Sequence, residues 1–440
     1  MSAAAPSAVR RTFASISVRN YRLYFFGQTI SQTGTWMQTV AQAWLVLKLT
    51  GSGTALGLVT ALQFLPVLLF GPMGGVVADR FDKRRVLYAT QTTAGLLALT
   101  LGVVVATGNV KLWMVYVLAA GLGLVNTCDN PTRQTFVMEM VGDEHLTNAI
   151  TLNSVMINLA RVLGPAIAGV LIATVGLGPC FLINAASYLA VLAGLAMMRS
   201  RDLHRVPVVP RGRGQLREGF RYVRSTPELL APLMMLAVIG TLSYEFQVSL
   251  PLMARYAFHG GAGSYGVMSS FMGGGAVVGG LWAAARRRGS ATALAGVAII
   301  FGVVILAAAA APTFAFELAA LVLIGGASIS LLAMGNTALQ LASTPVMRGR
   351  VMGLWSVAFL GSTPVGGPIV GFIGQHLGPR YGLGLGGVAA ILAAVCLYPS
   401  LARIQRRAVA GAAGDAPEPE MTAAVALAEL TVDESVEAGG

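Results

Sequence analysis

The chain has 440 residues, of which 55% are hydrophobic and only 11% charged, with a formal net charge of +12, whereas soluble domains carry about 25% charge. This balance, with a mean hydropathy of +0.71, excludes a soluble globular protein, a disordered chain and a nucleic-acid binder, and makes lipid the solvent for most of the chain. The basic residues fall in short clusters between apolar stretches, as a membrane topology requires and a nucleic-acid face does not.

Residues 1–21 begin MSAAAPSAVRRTFASISVRNY, too polar for the apolar core of a signal peptide. They are expected to form a cytoplasmic leader before an uncleaved first span. A helix needs about 20 apolar residues to cross about 30 Å of hydrocarbon. Twelve stretches meet that requirement: 22–47, 54–78, 86–106, 112–130, 148–173, 179–198, 229–254, 264–285, 290–311, 315–341, 349–374 and 381–399. The expected fold is an all-α integral membrane protein of twelve transmembrane helices in two pseudo-symmetric six-helix bundles, 22–198 and 229–402, joined by a basic linker at 199–228.

Most of the 30 Lys and Arg residues precede span one, follow span two, fill the linker or follow spans eight and twelve. Only Lys48, Lys111, Arg255 and Arg380 fall on the opposite side, and Arg161 falls within a span. The basic side is therefore expected to be cytoplasmic, with both termini on it, in a multi-pass inner-membrane protein. The linker has an amphipathic stretch at Leu216 to Arg224. The tail, 403–440, turns acidic after Arg407, from Asp415 to Glu437, and is expected to be disordered. Cys128, Cys180 and Cys396 lie in apolar surroundings and read as packing residues. His145, His204, His259 and His376 fall in expected loops without metal spacing.

Span one carries Gln28, Gln32, Thr35, Thr39 and Gln42. Spaced by four and three, they make one helical stripe of uncharged donors and acceptors. Lipid does not tolerate such a stripe, so it either lines a central cavity or holds neighbouring helices together. Asn158, Tyr244, Gln247 and Asn336 are further cavity candidates. With few charges, this lining suits a large, mostly apolar or weakly polar small molecule.

Gly75-Val76-Val77-Ala78-Asp79-Arg80-Phe81-Asp82-Lys83-Arg84-Arg85 lies between spans two and three. This stretch resembles the cytoplasmic loop motif of the major facilitator superfamily, with Asp82 replacing one family glycine. The resemblance implies a latch that closes the cytoplasmic side, made by Gly75, Asp79, Arg80 and Arg84. A purely topological anchor would explain the basic run but not Asp79.

Span four places Asp129 near the cytoplasmic boundary, with Asn126, Asn130 and Arg133 on the same face and Arg133 four residues on. Asp129 and Arg133 then belong either to the inner gate or, for the carboxylate, to a proton path. By helix rise Arg161 lies roughly 20 Å above the cytoplasmic surface, where an unpaired arginine costs at least about 3 kcal/mol. The one acid expected at that height is Glu245 in span seven. The two form either a fixed ion pair or a coupling pair, in which helix rocking moves the carboxylate between dry and paired surroundings and so loads and releases a proton.

Gly164-Pro165-Ala166-Ile167-Ala168-Gly169 resembles the span-five motif of antiporters in the same superfamily, with Ala160 where that motif begins with glycine. The resemblance implies a kinked and sealed outer half. Gly367-Pro368 in span eleven repeats it at a similar place, which favours duplication of a six-helix unit. The run Gly273-Gly274-Gly275 lacks the strand and lysine of a phosphate loop and reads as helix packing.

Across residues 15–405 the chain is similar to the major facilitator superfamily. Asp129-Asn130-Pro131-Thr132-Arg133-Gln134 and Asn158-Leu159-Ala160-Arg161 look like its branch of enterobactin exporters and macrolide-efflux proteins. The resemblance implies a monomeric exporter with no cofactor, driven by the proton gradient through antiport with alternating access. Its partners would be the small-molecule substrate and the lipid bilayer, with no nucleic acid. An uptake symporter would share the fold. A lipid-modifying enzyme would need a catalytic cluster that the sequence does not contain.

Overall fold

A computed structural model describes residues 13–204, 215–285, 291–344, 346–359 and 361–414. The basic run Arg286 to Arg288 and the acidic stretch from Asp415 onward lie outside the described residues. Every regular element among them is helical, as burial in lipid demands: an isolated helix satisfies its own backbone hydrogen bonds.

The first half contains α1 (Arg19–Thr50), α2 (Gly53–Arg80), α3 (Lys83–Ala106), α4 (Leu112–Thr174) and α5 (Gly178–Met197). Gly51 closes α1 in the left-handed region at φ 64°, a conformation favourable to glycine. Ser52 and Asp82 cap α2 and α3 by accepting from the backbone N–H groups of Ala55 and Arg85. Asp82 thus supplies a cap where the family motif has glycine. The 63 residues of α4 are two helices joined at Gly142, at φ 66° and ψ −177°, so the expected spans four and five form two arms of one element. The leader is not wholly detached: Ala14–Ser17 forms a 3-10 turn, and Ser15 donates to Asn148 Oδ1 from both its N–H and its hydroxyl.

The second half opens with a surface helix, α6 (Gln215–Ser225), at the expected amphipathic stretch. Glu218 pairs with Arg350 at 2.6 Å, and Val223 is buried in the core, so α6 is fixed to the second half. The remaining helices are α7 (Pro227–Leu242), α8 (Phe246–Leu252), α9 (Ala262–Ala285), α10 (Ala291–Ala309), α11 (Phe314–Ala342), α12 (Arg348–Phe359), α13 (Thr363–His376) and α14 (Pro379–Gly414). The expected span seven is broken between α7 and α8, then distorted by a π turn at Met253–Ala257; span eleven is likewise divided into α12 and α13. Helix α14 continues to Gly414, beyond the expected start of a disordered tail. His145 lies in α4 and His376 in the last turn of α13, so neither is in a loop.

Nine segments among the described residues are long and apolar enough to cross a membrane. One of these is the double-armed α4. Helices α1 and α9 fall outside the nine, α1 diluted by its glutamines and threonines and α9 by its glycines.

The halves meet along two seams of backbone on backbone. A Cβ on Gly57 or Gly371 would overlap the carbonyl of Gly367 or Gly53, joining α2 to α13. On the other side, a Cβ on Gly266 of α9 would stand 2.6 Å from the Pro165 carbonyl oxygen of α4. Such approach is open only to glycine and is a common way for helices to associate in lipid. Polar contacts finish this end: Ser52 Oγ donates to Gln375 Oε1 at 2.6 Å, the Tyr256 hydroxyl donates to the Gly51 carbonyl at 2.6 Å, and Arg255 donates to the Leu47 carbonyl. The sealed end lies opposite the basic clusters at Arg80 to Arg85, Arg199 and Arg350.

Replacing Gly57 by Val should part the α2–α13 seam, because overpacking of this kind costs about 1–3 kcal/mol. In a background with the three cysteines replaced, the disulfide yield between Ser52→Cys and Gln375→Cys should fall severalfold on adding Gly57→Val; an unchanged yield would show that the seam tolerates a side chain.

Candidate functional site

The stripe of α1 faces a cavity lined mostly by the first half. Gln28, Gln32, Thr35, Thr39 and Gln42 all line it, with Gln38, Gln63, Gln91, Asn126, Asp129, Arg133, Asn184 and, from α8, Gln247. The cavity and the open solvent at its mouth together take up about 780 Å³. Thr35 and Thr39 donate their hydroxyls to the carbonyls of Ser31 and Thr35 one turn back, so each threonine is satisfied within the helix and leaves its oxygen able to accept. Asn184 Nδ2 donates to Gln38 Oε1 at 2.7 Å, fastening α5 to α1. Carboxamides dominate the wall, so the cavity offers both donors and acceptors while adding no net charge.

Asp129 and Arg133 are the cavity's one ion pair among its lining residues, with Arg133 Nε 2.7 Å from Asp129 Oδ2. Asp129 is 3% exposed and its Oδ1 accepts from Thr90 Oγ1 at 2.7 Å and Gln91 Nε2 at 2.8 Å. Arg133 also donates to Asn130 Oδ1 at 2.8 Å and to Gln28 Oε1 at 3.3 Å. The pair therefore links α1, α3 and α4 within one half and forms part of the cavity wall. The contact with Arg133 and the two hydrogen bonds to Oδ1 offset the cost of burying the Asp129 carboxylate.

The loop motif is divided among separate tasks. Arg84 donates to the Ala196 carbonyl at the end of α5 and to Ser200 Oγ, a favourable place for a cation at a helix C-terminus. Lys83 pairs with Glu139. These contacts stay within the first half. Asp79 is half-buried and Arg80 exposed in the last turn of α2. Gly75 is buried, but the tight approach lies one residue earlier, where a Cβ on Gly74 would overlap the Thr127 carbonyl.

The expected partnership of Arg161 with Glu245 is absent. The Arg161 guanidinium lies 5.0 Å from the Trp36 ring centroid, in a cation–π contact. Glu245 stands at the break before α8 and faces the first turn of α13, where it approaches Thr363. A Cβ on Gly366 would lie 2.9 Å from Glu245 Oε1. Helix rise gave the two residues similar depth but not the direction in which each points. Ser243 Oγ, donating to the Gly386 carbonyl at 2.6 Å, anchors the break to α14.

Arg161 lines a second space of about 350 Å³ between the halves. This space shares Thr39 and Gln247 with the first cavity. Gly164 packs beside it on Trp36, where a Cβ would stand 2.5 Å from the Trp36 Cβ, and Gly169 meets Gly263 and Gly266 of α9. The antiporter-like motif is thus built into the seam.

Three other candidates lie elsewhere. The Tyr244 hydroxyl donates to the Ser328 carbonyl at 2.7 Å, and its ring packs against Phe246, Phe301 and Phe359. Asn158 Nδ2 donates to the Ser154 carbonyl, and Asn336 Oδ1 accepts from Gln340. Neither asparagine lines the two spaces. The sequence reading also missed an acid: Glu317, in the first turn of α11, is 0% exposed and neither carboxylate oxygen has a hydrogen bond among the described residues. Arg380 lies within electrostatic range of Glu317 and donates to the Ala309 carbonyl. Arg380 at the same membrane face was the available signal.

Two helical halves, sealed against each other at one end around polar spaces, define a membrane transporter. The chain belongs to the major facilitator superfamily: the model of its transmembrane secretion effector family matches residues 10–432. It is 29% identical over 177 residues to the staphyloferrin A transporter of Staphylococcus aureus, covering 40% of this chain and 45% of that protein. It is 24% identical to macrolide efflux protein A of Streptococcus pyogenes, covering 54% of this chain and 58% of that one. These matches span about half the length of each relative. The enterobactin exporter EntS of Citrobacter koseri matches at 23% identity across 88% of this chain and 92% of its own length. In fold, the chain resembles a bacterial homologue of the lysosomal transporter Spinster, with a TM-score of 0.68 at 16% identity, covering 91% of this chain and 98% of that one.

Asp129→Asn should leave the half-buried Arg133 guanidinium without its counter-charge and destabilise the protein by about 1–3 kcal/mol. Adding Arg133→Gln should restore much of that loss. A double-mutant cycle of melting temperatures in nanodiscs checks both; additive losses would show that the pair is not coupled.

Proposed function

We propose that the protein exports a mostly apolar or weakly polar small molecule, such as a drug, a macrolide-like compound or a siderophore, by proton antiport with alternating access. In this reading twelve helices cross the inner membrane, both termini are cytoplasmic, and a single chain is the working unit. No cofactor is required beyond the proton gradient.

The observation that carries the reading is the position of the seal. The glycine seams and the contacts of Ser52, Arg255 and Tyr256 close the end opposite the basic clusters. With the basic side cytoplasmic, the carboxamide-lined cavity takes its solute from the cytoplasm. Parting the seams would release that solute outward. The names of the staphyloferrin, macrolide and enterobactin relatives support small-molecule traffic, and the Gly164-Pro165 motif in the seam supports antiport.

Glu245 is the proposed coupling carboxylate. It is 3% exposed, sits where α7 breaks, and faces α13 across Gly366. A rocking motion that separates α7 from α13 would bring water to it, while closure would exclude water. In this state Arg161 is not its counter-charge, and Asp129 is already committed to Arg133.

In everted membrane vesicles, the wild type should accumulate a substrate found by screening a deletion strain for compound sensitivity. A protonophore should abolish the accumulation. Glu245→Gln should reduce proton-driven uptake by at least about tenfold, the loss expected of an essential coupling group. Wild-type rates in that variant would remove Glu245 from the coupling step, and accumulation only in right-side-out vesicles would make the protein an importer.

A further inference from the structure

Among the described residues, Arg161 is a cation without a counter-charge. Its Nε is buried and has no hydrogen bond among the described residues, and its recognised contact is the face of Trp36. The charges that could neutralise it are engaged elsewhere. Glu245 faces Thr363 and Gly366, Asp129 pairs with Arg133, and Glu317 sits in α11 near Arg380. No acidic residue lines the space into which Arg161 opens. A guanidinium cannot escape low-dielectric surroundings by readily giving up its proton, so the site keeps a standing demand for negative charge.

We propose that this space binds the anionic group of the transported solute: a carboxylate or comparable planar oxyanion carried on an otherwise uncharged organic body. This rests on the reading of the chain as a small-molecule exporter and specifies the substrate it takes.

Three features select that class. Trp36 covers one side of the guanidinium at 5.0 Å, and a guanidinium's paired N–H groups match the two oxygens of a planar oxyanion better than a single-point anion does. Phe246, Leu250 and Met272 make the wall of the space mostly apolar, with Gln247 and Ser269 at its second-half side, a lining that suits an organic body better than a strongly hydrated inorganic anion. The shared boundary at Thr39 and Gln247 lets an organic body extend into the larger carboxamide-lined cavity. A ligand held here would touch both halves, since Trp36 and Arg161 belong to one and Gln247, Tyr265 and Ser269 to the other.

The test compares 2-naphthoate with its neutral isostere 2-naphthamide by isothermal titration calorimetry on the full chain in nanodiscs. Wild type should bind the anion about tenfold more tightly than the amide, a difference of about 1.4 kcal/mol. Arg161→Gln should erase the preference, and Arg161→Lys should keep part of it, retaining charge without the planar fork. Equal affinities in the wild type, no binding of naphthoate, or an unchanged preference in a folded Arg161→Gln protein would each overturn the proposal. The wild-type comparison requires no variant to fold. Binding is measured without a gradient, so failed proton-driven export with an intact anion preference would overturn only the exporter reading; export without that preference would overturn only the anion site.

Discussion

The structure depends on backbone-to-backbone contact between its halves. In lipid, apolar side chains gain little by leaving one apolar neighbour for another, so association relies on close packing. Here Gly57 and Gly371 bring α2 onto α13, while Gly266 and Gly169 bring α9 onto α4. A seam made of glycine against carbonyl has few side chains to disentangle. It can part and re-form without repacking a core, which an interdigitated interface could not do. The bonds of Ser52, Tyr256 and Arg255 then secure the rim.

The second constraint is the treatment of charge away from water. Asp129 and Arg133 neutralise each other and have polar neighbours on three helices. Glu245 lies at a helix break beside the start of α13, where the positive end of a helix dipole favours a carboxylate. Glu317 likewise lies in a first helical turn. Arg161 is treated differently, with an aromatic face and no acid. These arrangements divide the buried charges into a paired structural set and a set with unused capacity.

The sequence made the fold legible because lipid imposes long apolar runs and leaves polar residues conspicuous. The stripe from Gln28 to Gln42 was readable because its spacing places every member on one helix face, and the structure puts all five on one cavity. Its partners Gln63, Gln91 and Asn184 were less legible, since each stands alone in an apolar helix. The pairing of Arg161 with Glu245 failed because depth along a helix says nothing of azimuth, and the break before Phe246 turns Glu245 toward α13. Gly75 was chosen over Gly74 for a related reason: adjacent residues differ by 100° around the helix, and only the neighbouring helix selects between them. Glu317 stands in a first helical turn, where an acid is ordinarily solvated, and only its burial sets it apart.

The two halves are chemically unequal. The first holds the amides, hydroxyls and ion pair of the large cavity, whereas the corresponding region around Tyr244 packs Phe246, Phe301 and Phe359 into an aromatic cluster. The two halves therefore divide the labour, with one carrying most of the chemical vocabulary and the other serving as its mechanical counterpart. Selectivity can then drift through changes on α1, α3 and α4 without disturbing the second half, and a lineage can acquire new cargo while inheriting the same machine.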